Sequence, residues 1–186
     1  MTSFIHDPEQ DTWAWNKAKY EEVEEILDLI AANYEMEVAG ILSGSRPRMA
    51  LHLYKALLTQ AFEPWSNLVL TCRDKTSNKL LAWSWLERGK YTPFAPEEMS
   101  CAEFLHIDLS VSLRNRMTLT AQCINLWEAW SRDCGIPVIT STTIRQEQRG
   151  FLRLHEKLGY TVRGSIAYKR LSTTPTTNSK GEISES

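Results

Sequence analysis

The chain has 186 residues, 42% of them hydrophobic and 24% charged, with 21 Lys and Arg against 23 Asp and Glu. That composition is ordinary for a globular domain, and the length suffices to bury a core without metals or cross-links. Near-balanced charge excludes a general attraction to nucleic acid or acidic lipid, and no apolar run reaches the roughly 20 residues of a membrane-spanning helix. Cys72, Cys101, Cys123 and Cys134 form no C-x-x-C pair, so buried thiols are expected and no metal site. Residues 1–10 have neither a basic nor an apolar segment, so no signal peptide is expected and the cytoplasm is the expected location.

Residues 1–16 are mixed, and Trp13 and Trp15 around Ala14 suit a first strand or a lid. Spacing of three and four among Val23, Ile26, Leu27, Ile30, Ala31 and Tyr34 predicts a helix over about 17–34. Ser45 is a cap and Pro47 a first-turn residue for a second helix ending before Pro64. Strands are predicted at 68–72 and 80–86, the second with Trp83 and Trp85 on one face, joined as a hairpin by the polar turn 74–78. Residues 87–100, with Gly89, Pro93 and Pro96, read as a loop. A third strand is predicted over 102–111, with Leu105, Ile107, Leu109 and Val111 on one side and Phe104, His106, Asp108 and Ser110 on the other. A long helix over 115–134 carries Leu119, Cys123, Leu126, Trp127 and Trp130 on one face and stops at Gly135 and Pro137. A strand over 138–144, a helix over 145–158 with Thr143 and Gln146 at capping-box spacing, and a last strand over 165–171 complete one domain of residues 1–171. The Ser/Thr-rich residues 172–186 read as a disordered tail. Strands joined by crossover helices imply an α/β fold, a mixed sheet with helices on both faces.

Two segments carry a family resemblance. Phe151-Leu-Arg-Leu-His-Glu-Lys-Leu-Gly-Tyr160 resembles the late helix and turn of the GNAT superfamily of acyl-CoA N-acetyltransferases, usually ending Tyr-Glu-Lys-Leu-Gly-Phe. Val111 followed by Arg116-Met117-Thr118-Leu119-Thr120-Ala121 is similar to the family's cofactor motif, an Arg or Gln, two residues, Gly, one residue, and Gly or Ala. Arg116 and Ala121 fit, whereas Leu119 stands at the glycine. In that motif the N–H groups at a helix start hold the cofactor's pyrophosphate. The resemblance covers about residues 17–171 and implies a mixed, mostly antiparallel GNAT-like sheet flanked by helices on both faces.

It also implies transfer of an acetyl group from acetyl-CoA to an amine. The attacking amine must be neutral, so a base is required, and the leaving thiolate benefits from an acid. The family's acid is often the tyrosine of the late helix, whose place His155 takes; a structural histidine is the alternative there. His106, Asp108 and Glu103 on the third strand are the base candidates, with Glu103 alternating to the other face. Gln148 falls on the family's Asn and Phe151 on its small residue, while Ser141 and Thr142 could bond the cofactor or be ordinary strand residues. Acceptor pockets in this fold would be built here by residues 34–48 and 87–101.

With Leu119, His155, Gln148 and Phe151 all departing from the pattern, a non-catalytic structural or regulatory member of the fold is the second reading. The combination is similar to GNAT-like small proteins of tailed bacteriophages, which would place the chain in the host cytoplasm or a virion. Arg145, Arg149, Arg153 and Lys157 form a basic stripe, and residues 145–170 hold seven Lys and Arg against two acidic residues. The overall charge makes nucleic acid an unexpected partner even so. Trp13, Trp15 and Trp65 are left to cover a pocket or an interface, with a homodimer or another protein as possible partner.

Overall fold

The computed structural model describes residues 12–38, 41–143 and 148–164. Their order is β1 (Trp13–Lys17), a 3-10 turn (Tyr20–Glu22), α1 (Val23–Val38), α2 (Arg46–Phe62), β2 (Asn67–Asp74), β3 (Leu80–Thr92), β4 (Ala95–Ile107), α3 (Leu113–Asp133), β5 (Val138–Ser141) and α4 (Arg149–Lys157). The strands form one sheet in chain order, antiparallel from β1 to β4. β5 pairs parallel to β4, which requires a crossover, and α3 supplies it. The sheet is therefore mixed and mostly antiparallel, as expected.

Helices cover both faces. Ile26, Leu27 and Ile30 of α1 and Leu53, Ala56 and Leu57 of α2 pack on Val69, Trp83 and Trp85, with Phe104 beside them. On the other face Cys123, Ile124, Trp127 and Trp130 of α3 pack on Leu68, Leu70, Leu86 and Ala102, and Leu154 and Leu158 of α4 join them. The two buried tryptophans of α3 have partners for their one donor: Trp127 Nε1–H donates to Ser84 Oγ and Trp130 Nε1–H to the Pro64 carbonyl. Trp13 and Trp15 both donate to Gln122 Oε1, at 2.8 and 3.2 Å. Those two residues are thus a strand pinned to α3, which settles the choice between strand and lid. Trp65 is 58% exposed.

The first helix starts later than its periodicity predicts. Lys17 is taken by β1, opposite Leu70, and the helical turn begins at Tyr20, where the Glu22 carboxylate accepts the Lys19 N–H at 2.7 Å. Glu22 also accepts from Arg73 Nε at 2.7 Å with both side chains largely buried. This ties the start of α1 to β2; losing Arg73 would leave the Glu22 carboxylate buried without its cation, while Arg73 has a second partner in Glu25. α2 is capped as expected, its Ser45 Oγ accepting from Arg48 N–H. α3 begins two residues before its predicted start, capped by Ser112.

The larger correction concerns residues 87–100. They are not a loop but the outer half of the β3–β4 hairpin. Gly89, φ 81°, makes a β-bulge rather than an end: Glu87 faces Cys101 and Lys90 faces Met99, so β3 has one residue more. Arg88 and Glu98 clasp the hairpin through two hydrogen bonds of 2.7 Å. The third strand stops at Ile107 instead of Val111, because Asp108 Oδ1 accepts the Ser110 N–H and the Asp108 carbonyl accepts the Val111 N–H, making a turn. The capping box at Gln146 and the last strand at 165–171 lie outside the described residues, as does the tail.

Candidate functional site

A cavity of about 810 Å³ opens on the α1–α2 face of the sheet. Leu27, Ile30 and Tyr34 of α1, the 42–46 connection and Met49 of α2 form its walls, and Trp85, Glu87, Lys90, Glu103, Phe104 and His106 form its floor. The predicted acceptor segments, 34–48 and 87–101, both contribute.

Two bulges bring the floor together. Ala102 and Leu105 both pack on the α3 side, although they are three residues apart and regular alternation would put them on opposite faces. The pairing explains this: Ala102 faces Leu86 and Phe104 faces Trp85, so Glu103 is the extra residue of a bulge on β4. The slip carries Glu103 into the cavity with Phe104 and His106, against the face that simple alternation assigns it. The Gly89 bulge does the same for Lys90. Lys90 Nζ then lies 3.5 Å from Glu103 Oε1 and 3.5 Å from Glu87 Oε2. Glu103 is the main reason its ammonium is held above its ordinary pKa; partial burial opposes this and Glu87 adds to it. Glu87 and Lys90 are missed by a reading that takes 87–100 as loop. The alternation Trp83, Trp85, Glu87 is the signal that the strand continues.

His106 is buried, and Trp83 Nε1–H donates to its Nδ1 at 3.1 Å. An indole can only donate, so while this bond holds the imidazole is neutral with its proton on Nε2. While this bond holds, Nδ1 is not available as a base. Asp108 is not in the cavity. Burial would raise its carboxyl, but bonds from Lys79 and from Ser110 outweigh that and hold it below its ordinary range. It is a turn residue paired with a lysine of the β2–β3 turn.

His155 lies across the sheet from the cavity, on the α3 side, between the rings of Phe151 and Tyr160 at 4.1 and 4.9 Å. Its Nδ1 is 2.9 Å from the Phe151 carbonyl, which accepts the ring proton. Burial pushes its pKa down, only partly offset by that bond, and Nε2 is buried without a hydrogen-bond partner. A neutral ring whose one proton is committed to a carbonyl has none to donate to a leaving group.

The sequence-predicted cofactor segment is brought together at the start of α3, but not as the motif suggests. Arg116, Met117, Thr118, Leu119, Thr120 and Ala121 follow the first turn, so their amides have intrahelical acceptors; the amide of Leu113 precedes them. Leu119 is fully buried, packed with Trp13, Cys72, Ala82 and Ile107. Thr118 and Thr120 hydroxyls bond back to the Arg114 and Arg116 carbonyls. Val111 packs beside the same cluster. Gln148 is the N-cap residue of α4 and makes no side-chain cap bond. Ser141 ends β5 opposite Ala102, and Thr142 follows it, exposed.

β5 pairs with Met99–Ala102 only. From Glu103 to Ile107 the β5-facing edge of β4 has no strand beside it among the described residues. The two parallel strands therefore part at the residue that the bulge turns into the cavity. No metal-holding group of His, Cys, Asp or Glu occurs among the described residues, and none of their helices is long and apolar enough to cross a membrane.

No family model and no curated protein matches the sequence. Solved structures do. Glucosamine-6-phosphate N-acetyltransferase from Arabidopsis thaliana superposes with a TM-score of 0.63 at 13% identity, covering 87% of this chain and 100% of that one. An aminoglycoside N-acetyltransferase in complex with CoA gives 0.62 at 12%, over 86% and 94% of the two chains. A transcriptional regulator from Bacillus halodurans gives 0.62 at 13%, over 86% and 99%. With the sheet order, the helices on both faces and the parting of β4 from β5 all described, these likenesses establish that the chain has the GNAT acetyltransferase fold.

Proposed function

We propose that the protein transfers an acyl group from acyl-CoA, acetyl-CoA in the first instance, to an amine held in the α1–α2 cavity. One observation carries this reading: Glu103, the residue at which β4 and β5 part, is also the residue that a bulge turns into the cavity. An extended pantetheine chain can add along the unpaired β4 edge as a strand does, and the cavity can present an amine from the other side. The chain's residues fit such a group in part. The first turn of α3 offers the Leu113 amide and the nearby Arg116 for phosphate, and Arg116 Nε is buried without a partner. Leu119 and the amides after it offer nothing.

In this reading the bound ammonium gives one proton to the Glu103 carboxylate, directly or through a water, and then passes it to solvent. The neutral nitrogen attacks the thioester carbon; its C–N bond forms as the C–S bond breaks. The second amine proton goes with the leaving sulfur, so the products are an amide and the CoA thiol. His155, whose ring proton is committed to the Phe151 carbonyl, takes no part. Release of CoA thiol from acetyl-CoA on adding amines tests this, and a rate that Glu103→Gln leaves unchanged would remove Glu103 from the reaction.

A second reading is a non-catalytic binding protein of the same fold, in which Leu119 closes the phosphate site and His155 is purely structural. It is favoured by the buried Leu119. Absence of acetyl-CoA binding would select it.

A further inference from the structure

The cavity's lining also speaks to what kind of amine it takes, an inference that rests on the acceptor role proposed above. Its floor holds two carboxylates, Glu87 and Glu103, and one ammonium, Lys90, bridging them. The floor therefore has room for one further positive charge. The rest of the lining is mainly apolar and aromatic, with Leu27, Ile30 and Met49 on the walls and Trp85 and Phe104 on the floor. Its polar members include Ser43, Ser45, Arg48 and His52. Of the two arginines that line the cavity, Arg46 is already held by Glu24 at 2.7 Å and Asp28 at 2.8 Å, while Arg48 lies with it on the α2 side, across from the Glu87 and Glu103 carboxylates of the floor.

We propose that the cavity binds a monocationic primary amine on an apolar or aromatic body, its ammonium against Glu87 and Glu103 and its body between the α1–α2 walls and Trp85 and Phe104. A carboxylate or phosphate beside the amine would meet two like charges. A polyhydroxylated amine would have to give up hydration against Leu27, Ile30, Met49, Trp85 and Phe104. A cavity of about 810 Å³ is in the size range of small-molecule sites. Lys90 competes with the ligand for the same carboxylates, so removing its charge should strengthen binding.

The test is calorimetric titration of the purified protein, without any CoA, at low salt. Phenethylamine is the probe, with glucosamine and 3-phenylpropionate as comparisons. Saturable binding of phenethylamine, at least about tenfold tighter than either comparison, is expected for the unaltered protein. Lys90→Met should tighten phenethylamine about three- to tenfold and Glu103→Gln should weaken it by a similar factor, as for charge pairs near a surface. Glucosamine or phenylpropionate binding as tightly as phenethylamine would overturn the proposal, and so would a Lys90→Met protein of native melting temperature that binds the amine more weakly. The acyl-transfer reading fails separately. Phenethylamine binding without any acetyl-CoA binding would leave the cavity's specificity standing, whereas turnover of glucosamine in preference to phenethylamine would uphold transfer and overturn the specificity.

Discussion

Lys90 and Glu103 meet at 3.5 Å only because each of the two strands that carry them has one residue too many. Without the Gly89 bulge on β3, Lys90 would face away from the cavity, and without the bulge at Glu103 on β4 the carboxylate would point toward α3. The cavity's charge is thus a product of register. Substituting Glu103 by Gln should lower acetyl transfer about a hundredfold or more, the usual worth of a positioned base, while leaving the far-ultraviolet circular dichroism and melting temperature near native. Steady-state kinetics with saturating acetyl-CoA measures this.

Leu119 gives a prediction of the opposite kind. If this position were an altered phosphate contact, Leu119→Gly would restore cofactor binding. Its side chain fills the space between α3 and Trp13, Cys72, Ala82 and Ile107, so the substitution should instead cost about 3–5 kcal/mol, the sum of a core cavity and a glycine inside a helix. CoA binding should be no tighter. Urea unfolding and a CoA titration of the same variant check both halves.

His155 should make the protein sensitive to acid. Its pKa is lowered in the fold from 6.5, so between the folded value and about 6.5 the unfolded chain binds more protons than the native one. Stability therefore rises with pH through that window and is lost as pH falls below about 6.5, until the folded value is reached. His155→Phe should flatten the dependence there, and His155→Ala should cost about 2–4 kcal/mol at pH 7 as a buried ring is lost. Turnover per folded molecule should be unchanged in both. Melting curves from pH 5 to 8 and kinetics at pH 7.5 separate these effects.

His106 and Trp83 supply a spectroscopic test. The native protein should show His106 as the Nε2–H tautomer in nitrogen-15 spectra, set by the indole donor. Trp83→Phe removes the donor, should destabilise the fold by about 1–3 kcal/mol, and should let the other tautomer form. An unchanged His106 pattern in that variant would show that something else fixes the ring.

Much of the fold is legible in the sequence because its helices are strongly periodic and well punctuated. Ser45 with Pro47, and Gly135 with Pro137, mark ends that the structure keeps. The side of the sheet to which Phe104 and His106 point follows from alternation alone. Register is what the residues do not announce. Gly89, Pro93 and Pro96 read as a loop, yet a glycine at positive φ serves a bulge as well as a turn, and β1 owes its place to pairing with β2 rather than to any pattern of its own. Glu103 is named as a base candidate from the strand, but the means of its arrival is the bulge. His155 and Leu119 both stand where a family pattern expects function, and both are packed inside: Leu119 against Trp13 and Ile107, His155 between Phe151 and Tyr160.

The most direct test of acyl-CoA-dependent transfer is a calorimetric titration of the purified protein with acetyl-CoA. Saturable binding at micromolar concentration, competed by CoA, is the predicted result, and it would show that the start of α3 and the open β4 edge hold the cofactor without the motif's glycine. No heat of binding up to millimolar acetyl-CoA would contradict the transfer reading and leave a binding protein built on the acetyltransferase fold.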